Sequence, residues 1–241
     1  MSKRSILPLG ILLALTFTAC AKADPDRAVV KAAQGLSGKV FAGYQGWYRT
    51  PTDGSGLGWE HYETYEETFK PGEAGIDYWP DMSEFPESEK YATEFKHKDG
   101  STAYVFSSQS EPTVDLHFKW MKEYGIDGVF LQRFAHDVLE GGHHQWEILR
   151  PSNNKILGYV QKGARTNGRA FSIMYDLSGI RHGEMSMVMD DWRALCDQFD
   201  LLNDPNYLHE GGKPLVAIWG VGFSDRRKYT LVEVAAFIDF L

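Results

Sequence analysis

The residues best placed to do chemistry stand where apolar runs end. Asp176 closes Phe171-Ser172-Ile173-Met174-Tyr175, Arg133 follows Val129-Phe130-Leu131-Gln132, Trp219 closes Leu215-Val216-Ala217-Ile218, and Trp47-Tyr48 follow Val40 to Gly46. A carboxylate at the end of a buried strand can move a proton or accept a hydroxyl. Cleavage of a glycosidic bond needs two carboxyl groups: one protonates the leaving oxygen and the other acts as base or nucleophile. The Arg133 guanidinium could bond sugar oxygens or orient a carboxylate, or it could simply pair with Asp137 or Glu140. The rings of Trp47, Tyr48, Tyr78, Trp79, Tyr175 and Trp219 offer flat faces to the C–H faces of a sugar. We therefore expect Asp176 to be catalytic. We expect Trp47, Tyr48, Tyr78, Trp79, Asp81, Arg133, Tyr175 and Trp219 to bind substrate, with Asp81 and Asp225 as reserve acids. Asp127 precedes its apolar run and reads as a turn residue.

Several other chemistries are excluded. His136, His143 and His144 form the sole histidine cluster, without H-E-x-x-H or paired cysteines, so no metal site is expected. Neither G-x-G-x-x-G nor a Walker A sequence follows the first apolar run, and no cofactor is expected. G-x-S-x-G is absent. With 33 acidic against 25 basic residues the net charge is −8, the wrong sign for a nucleic-acid partner. The 241 residues are 43% hydrophobic and 24% charged, a globular composition that excludes a disordered chain. Aromatics reach 14%, which favours a cleft for flat ligands.

Four apolar runs, each led by glycine, carry these residues: 38–48, 124–134, 167–176 and 211–220. Short continuous runs between turn signals fit buried parallel strands. Helical spacing lies between them. Ser110 with Pro112 opens one helix, Asn153 to Lys162 forms a second with Ile156, Leu157 and Val160 inward, and Met187 to Leu201 forms a third. Thr230 and Glu233 form a capping box before a fourth, with Leu231, Val234, Ala235, Ile238 and Leu241 as its apolar face. The alternation predicts an α/β chain of the (β/α)₈ TIM-barrel type. The chain stops within a helix pattern at Leu241, so we expect an incomplete barrel of four to five strands.

At the N-terminus, Lys3 and Arg4 precede an apolar run, Ile6 to Ala19, too short to span a bilayer. Thr18-Ala19-Cys20 resembles the end of a bacterial lipobox, and Ala21-Lys22-Ala23 is a rival signal-peptidase site. The expected organisation is a lipoprotein-type signal over 1–20, a tether and short helix over 21–37, and the barrel over 38–241. The mature protein would be exported and held at the cell envelope by a lipid on Cys20, or alternatively secreted.

Taken together, several segments resemble the bacterial glycoside hydrolase family 71/99-like group, and more distantly family 99 endo-α-mannosidases and family 71 α-1,3-glucanases. They are Val40 to Tyr48, Trp59-Glu60-His61-Tyr62, Ile76 to Asp81, Ser107 to Ser110, Gly125 to Val129, Phe171 to Asp176 and Lys213 to Val216. The resemblance implies a barrel glycosidase acting on oligo- or polysaccharide by carboxylate acid/base catalysis. It also implies that the catalytic pair of family 99 lies beyond Leu241. Two departures stand out: Asp176 replaces the family 99 Glu, and Gly220-Val221-Gly222 stands where family 71 has a Glu. The alternative is a carbohydrate-binding lipoprotein without turnover on the same scaffold.

Overall fold

The strands and helices alternate as the apolar runs require. The computed structural model describes residues 35–223 and 227–241. The 1–20 signal with Cys20, most of the tether, and Asp225 lie outside the described residues. In chain order the elements are β1 (Phe41–Tyr44), β2 (Tyr91–Lys96), β3 (Thr102–Val105), α1 (Glu111–Glu123), β4 (Gly128–Phe134) and α2 (Ala135–Val138). There follow α3 (Trp146–Asn167), β5 (Ala170–Asp176), α4 (Met185–Phe199), β6 (His209–Glu210), β7 (Lys213–Pro214), β8 (Ala217–Trp219) and α5 (Leu231–Phe240).

One parallel sheet runs in the order β1-β4-β5-β8. The register sets Tyr44 beside Leu131, Arg133 beside Tyr175, and Asp176 beside both Phe134 and Trp219. Side chains alternate across a strand. Val129, Leu131, Phe171, Ile173, Tyr175 and Ile218 therefore share one face. They form one core with Val114 and Phe118 of α1, Ile156 and Val160 of α3, Trp192 and Leu195 of α4, and Phe237 of α5. All four long helices thus cover the same face. A doubly wound sheet would place helices on both faces. Sequential strand order with helices on one side is consistent with a partial (β/α) barrel. Among the described residues the four strands do not close on themselves.

The opposite face carries Phe130, Gln132 and Phe134 on β4, Met174 and Asp176 on β5, and Trp219 on β8. At the bottom of the sheet Gly128 leaves no room for a side chain, since a Cβ there would lie 2.3 Å from the Ala170 carbonyl oxygen. Asp127 fastens the same end by accepting the Val40 N–H at 2.9 Å.

Three local readings change. The helix expected from Asn153 starts at Trp146 and runs through Pro151. It ends on Gly168, whose φ of 63° suits a residue without Cβ. The last apolar run is divided: Lys213–Pro214 pairs antiparallel with His209–Glu210, and only Ala217–Trp219 joins the main sheet. On α5 the buried residues are Val234 and Phe237, while Leu231, Ile238 and Leu241 are exposed.

The capping box of α5 does more than start the helix. Glu233 accepts from the Gly183 and Thr230 N–H groups at 2.6 and 2.7 Å and contacts His182 at 3.0 Å. These contacts tie the loop before α4 to α5. Those two N–H donors hold the Glu233 carboxyl down at about 2, with His182 adding less. Its stabilising effect is then complete above the unfolded carboxyl value of about 4.3 and fades as pH falls toward 2. Wild type should melt above Glu233→Gln at pH 6, and the gap should narrow between pH 4 and pH 2. A gap independent of pH would remove the ionised carboxylate from the account.

Candidate active site

Parallel strands present their C-terminal ends on one side, and in barrels that side carries the chemistry. Here it collects Gln45 after β1, Gln132 and Phe134 from β4, Asp137 from α2, and Asp176 from β5. The long segment between β1 and α1 folds over this end. It has its own aromatic core of Tyr62, Phe69 and Val105 with Tyr48, Trp59, Trp79 and Phe95, backed by the β2–β3 hairpin. Arg49, only 1% exposed, ties the segment down by donating to the Gly46 and Tyr48 carbonyls and to Ser152 Oγ on α3.

A small cavity of about 20 Å³ lies where the segment meets the strands. Its polar lining is Gln45, Arg49, Glu60, His61, Gln132, Asp137 and Asn153, with Trp47 beside them. Trp47 stacks with His61 at 3.9 Å and 14°, and with Phe134 at 5.4 Å and 18°. Burial, aided by Arg49, lowers His61 to about 4. The ring is therefore neutral at pH 7, and its 3.6 Å approach to Glu60 is no ion pair there. Burial raises Glu60, with the Arg49 guanidinium opposing and Glu67 adding. Asp137 is raised to about 6, by burial first and then by the charges of Glu60 and Asp176. Asp176 is 3% exposed. It accepts from Gln132 Nε2 and from the Ser178 N–H, each at 2.8 Å, so both oxygens are held.

The structure divides the expected site residues into groups. Trp47 and Asp176 join the strand-end crevice. Trp219, in register with Asp176, is 49% exposed and tilts against Phe223. Tyr48 belongs to the aromatic core of the segment, 4.7 Å from Tyr62. Trp79 packs on Phe69 and donates its indole N–H to the Tyr104 carbonyl, and with Asp81 it lines a separate open groove. Tyr78 is 90% exposed and forms no part of that lining.

Arg133 and Tyr175 are corrections. Both are counted among substrate binders by sequence, yet both face the helices. Arg133 forms a two-point ion pair with Asp191 of α4, each contact 2.7 Å, and the Tyr175 hydroxyl donates to Asp191 at 2.7 Å. Neither Asp137 nor Glu140 is the partner of Arg133. Burial, reinforced by Asp191, pushes the Tyr175 phenol well above its ordinary value and keeps it a donor. This triad pins α4 to the sheet and is closed to a ligand.

Glu60 and Asp137 were missed as site carboxyls. Asp137 lies four residues after Arg133 in a segment read only for ion pairing, and Glu60 lies in a loop with no periodic signal. The usable hint was parity. Gln132 and Arg133 must face opposite ways, and Tyr175, one residue before Asp176, is opposed to it in the same manner. A much larger cavity, about 900 Å³, lies elsewhere, between α4, the β6–β7 hairpin, β8 and α5. It is largely apolar, includes helix-facing Ile218, and contains none of the strand-end carboxyls. Among the described residues no group of His, Cys, Asp and Glu is arranged to hold a metal, and no helix is long and apolar enough to cross a membrane.

Together the fold and site define an α/β chain with a one-sided parallel sheet and a crevice of carboxyl, amide and aromatic groups at its strand ends. No family model matches the chain, and no curated protein matches it. Among solved structures it is similar to the GH99 endo-α-mannosidase of Bacteroides thetaiotaomicron. The TM-score is 0.46 at 14% identity to a complex with Bis-Tris-propane, over 78% of this chain and 43% of that one. A second structure of that enzyme gives 0.46 at 13%, over 80% and 46%. The chain thus spans less than half the length of the structures it resembles.

Proposed function

We propose that this chain belongs to an exported glycoside hydrolase-like protein, lipid-anchored through Cys20, that cleaves an oligo- or polysaccharide by carboxylate acid/base chemistry. The observation that supports this most directly is the strand-end crevice. There Glu60 and Asp137 line one cavity beside Gln45, Gln132 and Trp47, and the charges of Glu60 and Asp176 both bear on Asp137. Sugars are neutral and rich in hydroxyls, and such a set can bond and polarise them without a cofactor. A saccharide would lie across the crevice over the small cavity, because that cavity is far below the roughly 300–1,000 Å³ of a ligand pocket.

The test is to express the complete reading frame and screen α-mannans, α-glucans and xylans for newly released reducing ends. Release from one of them supports the reading, and none from any overturns it. Palmitate labelling that disappears in Cys20→Ala would support the anchor, and labelling that persists would refute it. One observation favours a second reading, a carbohydrate binder without turnover: Asp176 is enclosed and has both oxygens engaged. Glycan binding with no release of reducing ends would select it.

A further inference from the structure

Resting on that reading, we propose that Asp137 is the proton donor of the crevice and that Glu60, brought to the same small cavity by the long first segment, is its partner carboxyl. The argument begins with position. Asp137 sits in the short helix directly after β4, on the same side of the sheet as the end of β5. It lines the small cavity with Glu60, His61 and Arg49 from the first segment and Gln132 from its own strand. The resemblance to family 99 would place the catalytic carboxyls beyond Leu241. Here two carboxyls with different surroundings already lie inside the described residues.

Those surroundings assign different roles. Among the described residues no hydrogen bond or ion pair reaches the Asp137 carboxyl, whereas Asp176 has a donor on each oxygen. An ionised carboxylate is stabilised by donors, and a half-buried one without protein donors is shifted toward its neutral form. The charged groups acting on Asp137 are Glu60 and Asp176, and both favour the neutral form. His61 faces the cavity uncharged. Arg49 faces it too, with its Nε donating to Ser152 and its Nη1 to the Gly46 and Tyr48 carbonyls. The same arginine is the principal charge opposing the rise of Glu60, whereas no cation is among the charges acting on Asp137.

In the step this implies, the bond from the anomeric carbon to the leaving oxygen breaks and its electron pair goes to that oxygen. The oxygen takes the proton of Asp137, which becomes a carboxylate. Water adds to the anomeric carbon and gives its proton to ionised Asp176. One water is consumed; Asp176 then releases its proton to solvent and Asp137 takes one back from solvent, so both groups return to their starting forms.

The test uses the complete protein with natural glycans and with dinitrophenyl glycosides, whose leaving group needs no proton. Asp137→Asn should lose about 10²–10⁴-fold on the natural glycan. It should stay within a few-fold on the dinitrophenyl glycoside and lose the basic limb of its pH–rate profile. Glu60→Gln should move that limb to lower pH. Equal loss on both substrates, or a natural-glycan rate that Asp137→Asn leaves intact, overturns the assignment while the hydrolase reading stands.

A second readout needs no turnover. Carbon-13 NMR of aspartate-labelled protein should show Asp137 titrating near 6 in wild type and lower in Glu60→Gln. A midpoint near the ordinary aspartate value of about 3.9, or one indifferent to Glu60→Gln, overturns the proposal. The expected titration without hydrolysis of any glycan overturns the hydrolase reading and leaves the Glu60–Asp137 coupling standing.

Discussion

Replacing Asp191 with alanine should destabilise the protein by about 3–5 kcal/mol, the usual cost of removing one partner of a buried ion pair. Arg133 is 4% exposed, Asp191 3% and Tyr175 0%, so water cannot replace the lost acceptor. The variant leaves a guanidinium and a phenol, both buried, without the oxygens that accept from them at 2.7 Å. The cost belongs to the orphaned charge more than to the worth of the pair. Arg133→Met combined with Asp191→Leu should therefore recover most of the loss, since apolar groups of similar volume often replace such pairs without penalty. Urea unfolding of the two variants beside wild type measures both effects. A loss below about 1 kcal/mol in Asp191→Ala would mean that the guanidinium finds another partner, and the pinning role of the triad would be abandoned.

The second large effect concerns Asp176. Asp176→Asn keeps the shape but removes the charge and turns one acceptor into a donor. It should lower turnover of the glycan found by screening about 10²–10⁴-fold, the usual worth of a positioned base. Stability should fall much less, by about 1–3 kcal/mol, because the Gln132 amide or the Ser178 N–H loses its acceptor. Activity and melting measured on the same preparation separate the two. Turnover unchanged with a lowered melting point would leave Asp176 as a residue that positions Gln132 and the turn at Ser178.

Much of the fold was legible because its signals are local. The runs ending at Phe134 and Asp176 became β4 and β5, and Thr230 with Glu233 marked the start of α5. The start of α3 was not legible: the helix runs through Pro151, a residue that reads as a boundary, with Leu149 and Ile156 buried on either side of it. The site was less legible. Strands buried on one face and half-buried on the other look apolar throughout, so the sequence did not show which parity faces the helices. Had it done so, Arg133 and Tyr175 would have been removed together, since they are neighbours in register. The partner they share, Asp191, lies 58 residues from Arg133, and no local pattern links them. Asp81 and Tyr78 were judged by residue type alone, and type does not say on which side of the hairpin a loop turns.

Among the described residues the core between sheet and helices and the core inside the long first segment share no buried residue, and a small third cluster gathers around Ala170 and Leu208. Cooperativity follows shared burial, so the first segment should open as a foldon of its own. Glu60 and His61 ride on it. Deuterium should enter that segment on a faster clock than β4 and β5, and Glu60 and His61 should then move with its local opening while the strands beneath stay shut.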